Sequence, residues 1–505
     1  MTNRNVEASG GLARAGDWKR FCRWDADDGY FHLETEDVAG VPVRLFLSEA
    51  LLRDCELDVY RQIVAATRFP GVRCVVITPD VHVGYGVPVG CVILTDREEG
   101  AVAMGPVGFD IGCGMMSAKS EVPADAATPD RMLDFNREVM ERVALGAGGT
   151  SMRFGSLSQR ALEEIVRGGA EHYVAKYGAR IDRQKAERQR IPVDDGWSIP
   201  WGGKGRPERG LAQLGTLGGG NHFIELQRSE QTSTLFVQVH TGSRGFGHGL
   251  ATNYFELARA EHPEQRDIDL GFFTPESAHH RDYLDAVAAG GNFAIVNRLV
   301  LFEAVAEAFR RVFREDLELV YEISHNLVQA ETHPDFGDVW AHRKGATRAF
   351  PAAHPALAGT QWETTGHPVL IPGSNRDWSY ILRPRAAAVK SAYSVNHGAG
   401  RRLSRGEANR TLDQQKVDEQ YRRDGILVNL DGRVPLDEAS ACYKSSDEVV
   451  SAILAAGLAD IEHRLWPICS IKGTDEGARS PKARARKAEK KQREKERGQS
   501  RNRKR

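Results

Sequence analysis

Histidines placed directly after short apolar runs constrain this chain more than any other feature. They occur in Gly-Gly-Gly-Asn221-His222-Phe, Val-Gln-Val-His240-Thr-Gly-Ser-Arg, Tyr-Glu-Ile-Ser-His325-Asn326 and Ser-Val-Asn-His397-Gly-Ala-Gly-Arg. A fifth cluster, Gly-Phe-Asp110-Ile-Gly-Cys113-Gly, follows the same plan with a carboxylate and a thiol. The preceding runs alternate, or stay apolar, over about four to six residues, which is the pattern of strands. Several strands therefore end in a side chain able to bind a metal. Converging on one crevice, Asp110, Cys113, His222, His240 and His325 supply a carboxylate, a thiolate and three imidazoles, enough for two adjacent transition-metal ions. One such histidine is usually structural; five cases on one plan point to a metal site.

The rest of the 505 residues gives this crevice a frame. No composition shift cuts the chain before residue 475, so one large catalytic domain is expected over 28–473, after a loosely ordered lead-in at 1–27. Glycine is frequent over 71–114 and 202–249 between short apolar runs, the texture of a β-rich core with turns close to a ligand. Helical periodicity appears at about 129–143, 159–177, 286–313 and 446–464. The first of these has Thr128 as N-cap and Pro129 at the first helical position. The charged, Gly/Pro-rich stretch 178–210 reads as a surface insertion. No run approaches eighteen apolar residues, so no membrane span is expected, and residues 1–17 lack the apolar region of a secretory signal. Seven scattered cysteines with no CxxC pair point to a reducing, cytoplasmic setting.

The formal charge of −1 hides an asymmetry. Residues 479–505 carry 14 Lys or Arg against three Glu, leaving a net charge of about −12 on the remainder. This tail, over 474–505, has too few apolar residues to bury a core and is expected to be disordered. It reads either as a phosphate-binding arm for nucleic acid or as a solubilising extension.

The chemistry these residues allow centres on phosphate. Two metals a few ångströms apart suit phosphoryl transfer, and mixed N/O/S ligation fits Zn, Mn, Fe or Co without naming one. Ile371-Pro-Gly-Ser374-Asn offers backbone N–H groups at a tight turn, and His397-Gly-Ala-Gly-Arg401 puts glycine beside a histidine and an arginine. Neither a GxxxxGK[ST] loop nor a Lys-x-Asp-Gly nucleophile is present. If a covalent nucleotide forms, His397 is the best-placed nucleophile, since a neutral imidazole can attack an activated α-phosphate. On spacing alone His397 could equally be a sixth ligand or a structural histidine.

Several motifs resemble one family. They are Pro79-Asp80-Val-His82-Val-Gly-Tyr85-Gly-Val-Pro88-Val-Gly90, Gly108-Phe-Asp110-Ile-Gly-Cys113-Gly, Gly218-Gly-Gly-Asn221-His222-Phe223-Ile224-Glu225, His240-Thr-Gly-Ser-Arg244-Gly, Ser-His325-Asn326, His342-Arg-Lys-Gly-Ala-Thr-Arg348 and His397-Gly-Ala-Gly-Arg401. In order and content they resemble the RtcB family, GTP-dependent RNA ligases, from about residue 28 to 473. The resemblance implies a mixed α/β fold: packed sheets around a dinuclear crevice, with helices outside. It implies two Mn²⁺ ions bridged by Cys113, one completed by Asp110 and His222, the other by His240 and His325. His397 would carry GMP. Asn221 and Asn326 would contact nucleotide phosphate, and Glu225, Ser379 and Lys472 the guanosine. Phe223, Ile224, the Pro372, Gly373, Ser374 and Asn375 turn, and Gly398, Ala399 and Gly400 would complete the GTP site. The implied substrate is RNA with a 3′-phosphate or 2′,3′-cyclic phosphate end and a 5′-hydroxyl end, in RNA repair or tRNA splicing, with an archease-type activator as a further partner.

Three stretches depart from the family's usual pattern. Pro372-Gly-Ser374 continues with Asn375-Arg376-Asp377 where Met-Gly-Thr is usual, Glu438-Ala is followed by Ser440 in place of proline, and about thirty residues follow Lys472-Gly473. Two other readings fit such changes. One is a paralogue that caps 3′-phosphate RNA or DNA ends with GMP but seals poorly. The other is a non-catalytic RNA-binding scaffold, which would have no need of His397 and five metal ligands.

Overall fold

A computed structural model describes residues 17–186, 190–265 and 267–473. The expected disorder of the tail at 474–505 concerns residues outside that range, as does the lead-in over 1–16. From residue 17 onward the lead-in expectation is corrected. Trp18 is fully buried and stacks on Tyr60, and the strand Cys22–Asp25 pairs with Tyr30–Leu33.

The architecture is mixed α and β, built on two large sheets. The first runs Cys22–Asp25, Tyr30–Leu33, Val43–Leu45, Val72–His82, Val89–Asp96, Gly337–Lys344, Asn326–His333. The second runs Glu318–Ser324, Gly114–Pro123, Thr234–Thr241, Phe223–Ser229, Ala459–Ile471, Ser379–Pro384, Val369–Ile371. Neighbours in both are antiparallel except Val43–Leu45 beside Val72–His82, and the short parallel strand Leu427–Val428 joins the second sheet at Ala459–Ile471. Apolar residues of both sheets, among them Val76, Val92, Leu94, Ile371 and Leu382, pack together between them.

Strand alternation divides the labour of the second sheet. On one face Ile224, Leu226, Val237, Val239 and Met116 join the main core. On the other face Phe223, His240 and Met115 align in one row, followed by a buried polar row of Ser117, Gln238, Glu225 and Ser470. Against the first face lies the helix His280–Phe313. It is apolar enough to span a membrane by length and composition, yet its most apolar stretch is almost wholly buried inside the protein. A helix apolar on all sides belongs in a core. Helices Pro129–Met140, Gln159–Tyr177 and Arg244–Glu261 cover it, so this one helix departs from the expectation that helices lie outside.

Two expectations change in detail. Residues 178–210 are more than a surface insertion: Ile181, Val193, Trp197 and Ile199 enter the main core, and Trp197 Nε1 donates to Tyr254 Oη at 3.1 Å. The helix expected at 446–464 stops at Ala455, and the strand Ala459–Ile471 follows. Gly457, at φ +68°, makes the left-handed turn that ends it. The helix with the Thr128 cap forms as expected; Thr128 Oγ1 accepts from Arg131 N.

Candidate metal centre

Sheet register is what brings the site together. Gly114 pairs with both Thr241 and Ser324, Phe223 pairs with His240, and Ile224 pairs with Ile471. Cys113, His240, His325, His222 and Lys472 each lie at or one residue beyond these positions, so one end of the sheet presents all five.

Two overlapping groups of ligand atoms result, Asp110–Cys113–His222 and Cys113–His240–His325, with Cys113 common to both. Cys113 Sγ lies 3.3 Å from His240 Nε2 and 3.6 Å from His222 Nε2. His222 Nε2 is 3.0 Å from Asp110 Oδ2, and the Nε2 atoms of His240 and His325 are 3.4 Å apart. The Nδ1–H of His222 donates to the Leu217 carbonyl and that of His240 to the Asn221 carbonyl, both at 3.1 Å. Those bonds fix the tautomer and leave the Nε2 lone pairs facing one another and the sulfur. Converging lone pairs repel unless a cation lies between them, so the donor set fits a metal ion.

The electrostatics agree. Burial, then the charge of neighbouring histidines, holds His240 and His325 well below the ordinary imidazole range, which keeps them neutral and able to ligate. Burial pushes Asp110 up, but the hydrogen bond and charge of His222 outweigh it and the carboxyl falls to about 2. The Cys113 thiol is pushed well above its usual value by burial and then by Asp110, so it needs a bound cation to become a thiolate. Gly242 permits the packing: a Cβ there would meet Asp110 Oδ1 at 2.3 Å.

One residue ties these ligand loops together from below. Arg298, fully buried midway along His280–Phe313, donates to the carbonyls of Gly112 at 2.7 Å and Thr241 at 2.8 Å, and to Ser324 Oγ at 2.8 Å. Each contact is one residue from a ligand. Glu322 pairs with the same guanidinium. The adjacent Asn297 accepts from Gly215 N at 2.6 Å and donates to the Gly242 carbonyl at 3.1 Å, holding the His222 and His240 segments.

Above the cluster opens a cavity of about 380 Å³. Asp110, Cys113, Asn221, Phe223, His240, His325, Asn326, Pro372, Gly373, Ser374, Asn375, His397, Gly398, Ala399, Gly400 and Lys472 line it. His397 stands beside the ligands, its ring centroid 4.9 Å from that of His325. Its Nδ1–H donates to Asp80 Oδ2 at 2.6 Å and its backbone N–H to the same oxygen at 3.1 Å, while Thr78 Oγ1 donates to the other oxygen at 2.6 Å. Burial would push Asp80 up, but the charge and hydrogen bond of His397 hold it below the usual range. Among the described residues His397 Nε2 has no hydrogen-bond partner.

Other expected contacts fall elsewhere. The side chain of Ile224 lies in the core on the far face of the sheet, so only its backbone could reach the site. Glu225 and Ser379 sit just behind the lining, joined through Gln227, whose amide donates to Glu225 Oε2 at 3.0 Å and Ser379 Oγ at 3.1 Å. Ser379 Oγ also accepts from Gly373 N at 3.0 Å, bracing the turn. The charges at 376 and 377 point away from the cavity. Arg376 pairs with Asp424 at 2.5 Å, and Asp377 accepts from Ser446 N at 2.8 Å, capping that helix. Asn375 Oδ1 accepts from Tyr421 Oη at 2.5 Å. Residues that motif reading left without a role include Asp80 and the buried Glu438, which gathers Arg401, Arg405, Lys472 and Tyr443, four cavity-lining side chains.

Residues 62–473, which hold the ligand cluster, the cavity and His397, match the family model described as tRNA-splicing ligase RtcB. The chain belongs to the RtcB family. Similar relatives include the tRNA-splicing ligase RtcB of Pyrobaculum aerophilum, 34% identical over 86% of this chain and 95% of the relative. That of Archaeoglobus fulgidus is 35% identical over the same shares. The RNA-splicing ligase RtcB of Mycobacterium tuberculosis is 34% identical over 82% of this chain and all of the relative. RtcB membership thus covers both sheets from Gln62 onward and the whole candidate centre.

Proposed function

We propose that this protein is a GTP- and manganese-dependent RNA ligase, joining 3′-phosphate or 2′,3′-cyclic phosphate ends to 5′-hydroxyl ends in RNA repair or tRNA splicing. The observation that carries the reading is His397: Nδ1 is locked on Asp80, and Nε2 is left without a partner in a cavity whose floor is a metal-binding cluster. An imidazole so held keeps its nucleophilic lone pair aimed outward.

Two Mn²⁺ ions sharing Cys113, one with Asp110 and His222 and one with His240 and His325, would neutralise phosphate charge and polarise the attacked phosphorus. His397 Nε2 attacks the α-phosphate of GTP, forming a phosphoramidate as pyrophosphate leaves, and Asp80 stabilises the imidazolium. The RNA 3′-phosphate then takes GMP from His397, and the 5′-hydroxyl displaces GMP. Asn221 and Asn326 line the cavity where phosphates must lie; Glu225, Ser379 and Lys472, with the turn of Pro372 to Asn375, would hold the guanosine. A cytoplasmic setting accords with seven unpaired cysteines.

The test is incubation with Mn²⁺ and α-³²P-labelled GTP beside His397→Ala, with and without an archease-type activator, followed by a denaturing gel. Acid-labile, alkali-stable label on the wild type alone is expected. No label on folded, metal-loaded protein under any of these conditions overturns the reading.

A further inference from the structure

One lip of the cavity is the turn joining strands Val72–His82 and Val89–Asp96, and its tip carries Tyr85, 71% exposed. An exposed ring on a mobile loop would signify little. This backbone is pinned from three sides. Gln62 Nε2 donates to the Gly84 carbonyl at 2.7 Å while Gly84 N donates back to Gln62 Oε1 at 2.9 Å. Val83 N donates to Glu56 Oε2 at 2.8 Å. The buried Lys344 donates to the carbonyls of Tyr85 at 2.5 Å and Val87 at 3.0 Å. Next in line, Gly86 at φ +69° rests on Asp269, where a Cβ would come within 2.5 Å of the carbonyl oxygen.

The fold therefore spends five hydrogen bonds on this turn and leaves its one large ring facing solvent at the cavity mouth. Phe109, beside Asp110, also lines the cavity, stacked on Phe255 at 4.7 Å and His248 at 5.4 Å. Arg401, Arg405 and Lys344 line the same cavity and suit phosphates within it. A strand whose terminal phosphate reaches the metal cluster must leave its bases nearer the mouth, and a base offers any aromatic ring a flat face.

We propose that Tyr85 is a stacking platform for an unpaired nucleobase near the RNA end being joined. This rests on the RNA-ligase reading above. A ring carried on a backbone already held in place needs only its own side-chain torsions ordered on stacking, which favours the contact.

The experiment uses the full chain as wild type, Tyr85→Phe and Tyr85→Ala. Binding of single-stranded RNA carrying a 3′-phosphate or a 5′-hydroxyl end is measured by fluorescence anisotropy, with an abasic site placed in turn at each of the three terminal positions. Tyr85→Ala should weaken binding of intact RNA roughly 5- to 150-fold, and Tyr85→Phe should restore it. At one position the abasic RNA should bind the wild type as weakly as intact RNA binds Tyr85→Ala, and the two losses should not add. Equal affinity of Tyr85→Ala and wild type overturns the proposal, as does additivity at every position. Thermal unfolding of each variant separates a lost contact from a lost fold. Wild type that takes label from GTP but shows no coupling at Tyr85 sinks the platform alone, whereas wild type that neither labels nor binds RNA sinks both.

Discussion

Glu225 is the side chain expected to carry the pH dependence of the site. It lies in the buried polar row of the second sheet, and burial raises its carboxyl to about 7 against the pull of Lys472, Ser470 and Gln227. Because the folded value lies above the ordinary carboxylate value, protonated Glu225 favours the fold. That contribution is present below about pH 4.5 and is lost as pH rises through about 7. Nucleotide binding should run the other way, since a carboxylate accepts from the N–H groups of guanine and a carboxylic acid does so poorly. GTP affinity of the metal-loaded protein, measured by calorimetry from pH 5.5 to 8.5, is expected to rise across a midpoint near 7. Glu225→Gln should flatten the profile. A wild-type profile as flat as that of the variant would remove Glu225 from the guanosine site. The candidate metal ligands were legible at this scale as donors beside small residues, but only His240 and His325 stand at the end of a strand; Cys113 and His222 precede one, and Asp110 lies in the turn before Cys113. Glu438 was not, because its role comes from Arg401, Arg405 and Lys472, which only the fold brings to one carboxylate.

At the scale of elements, the long helix is the template of the candidate metal centre. Its period announced a helix, but the expectation put helices outside the sheets, and its burial emerged only from the fold. What periodicity could not show is that the two polar residues at 297 and 298, buried in its middle, would hold four separate ligand-bearing segments. The strand Ala459–Ile471 was misread for a related reason. The apolar spacing of the preceding helix runs into it, and only the left-handed Gly457 breaks the two apart. Arg298→Met should destabilise the protein by roughly 3–5 kcal/mol, because Glu322 is left buried without its guanidinium. Replacing both, as Arg298→Met with Glu322→Leu, should recover most of that stability, since an apolar pair can substitute for a buried ion pair. Metal binding should not recover with it, for the Gly112, Thr241 and Ser324 contacts remain lost. Chemical denaturation and metal stoichiometry on the same samples separate the two effects. A double variant that binds metal as the wild type does would reduce Arg298 to a packing residue.

Across the whole molecule, charge is distributed against the chemistry. The residues before 479 carry a net charge of about −12, yet they contain the cavity proposed to bind phosphate, while residues 479–505 carry 14 Lys or Arg against three Glu. The cavity resolves this locally with Lys344, Arg401, Arg405 and Lys472, cations that act within a few ångströms. At distances beyond the Debye length, about 8–10 Å at physiological salt, an acidic body repels a nucleic acid only weakly, and attraction has to come from a segment that can reach it. Lys472 lines the cavity, so the chain leaves the described fold beside the site, and the basic residues follow in sequence. This placement favours the phosphate-binding reading of 474–505 over a merely solubilising one. A variant ending at Gly473 retains every lining residue and should still take GMP on His397. Its RNA affinity should fall at low salt, and its slope of log affinity against log salt should be shallower by about 0.7 for each phosphate contact the tail makes to single-stranded RNA. The two proteins should converge as salt approaches about 0.5–1 M, where screening removes the difference. Identical slopes for the full chain and the shortened one would show that residues 474–505 make no contact with RNA, and the acidic body would then rely on its cavity alone.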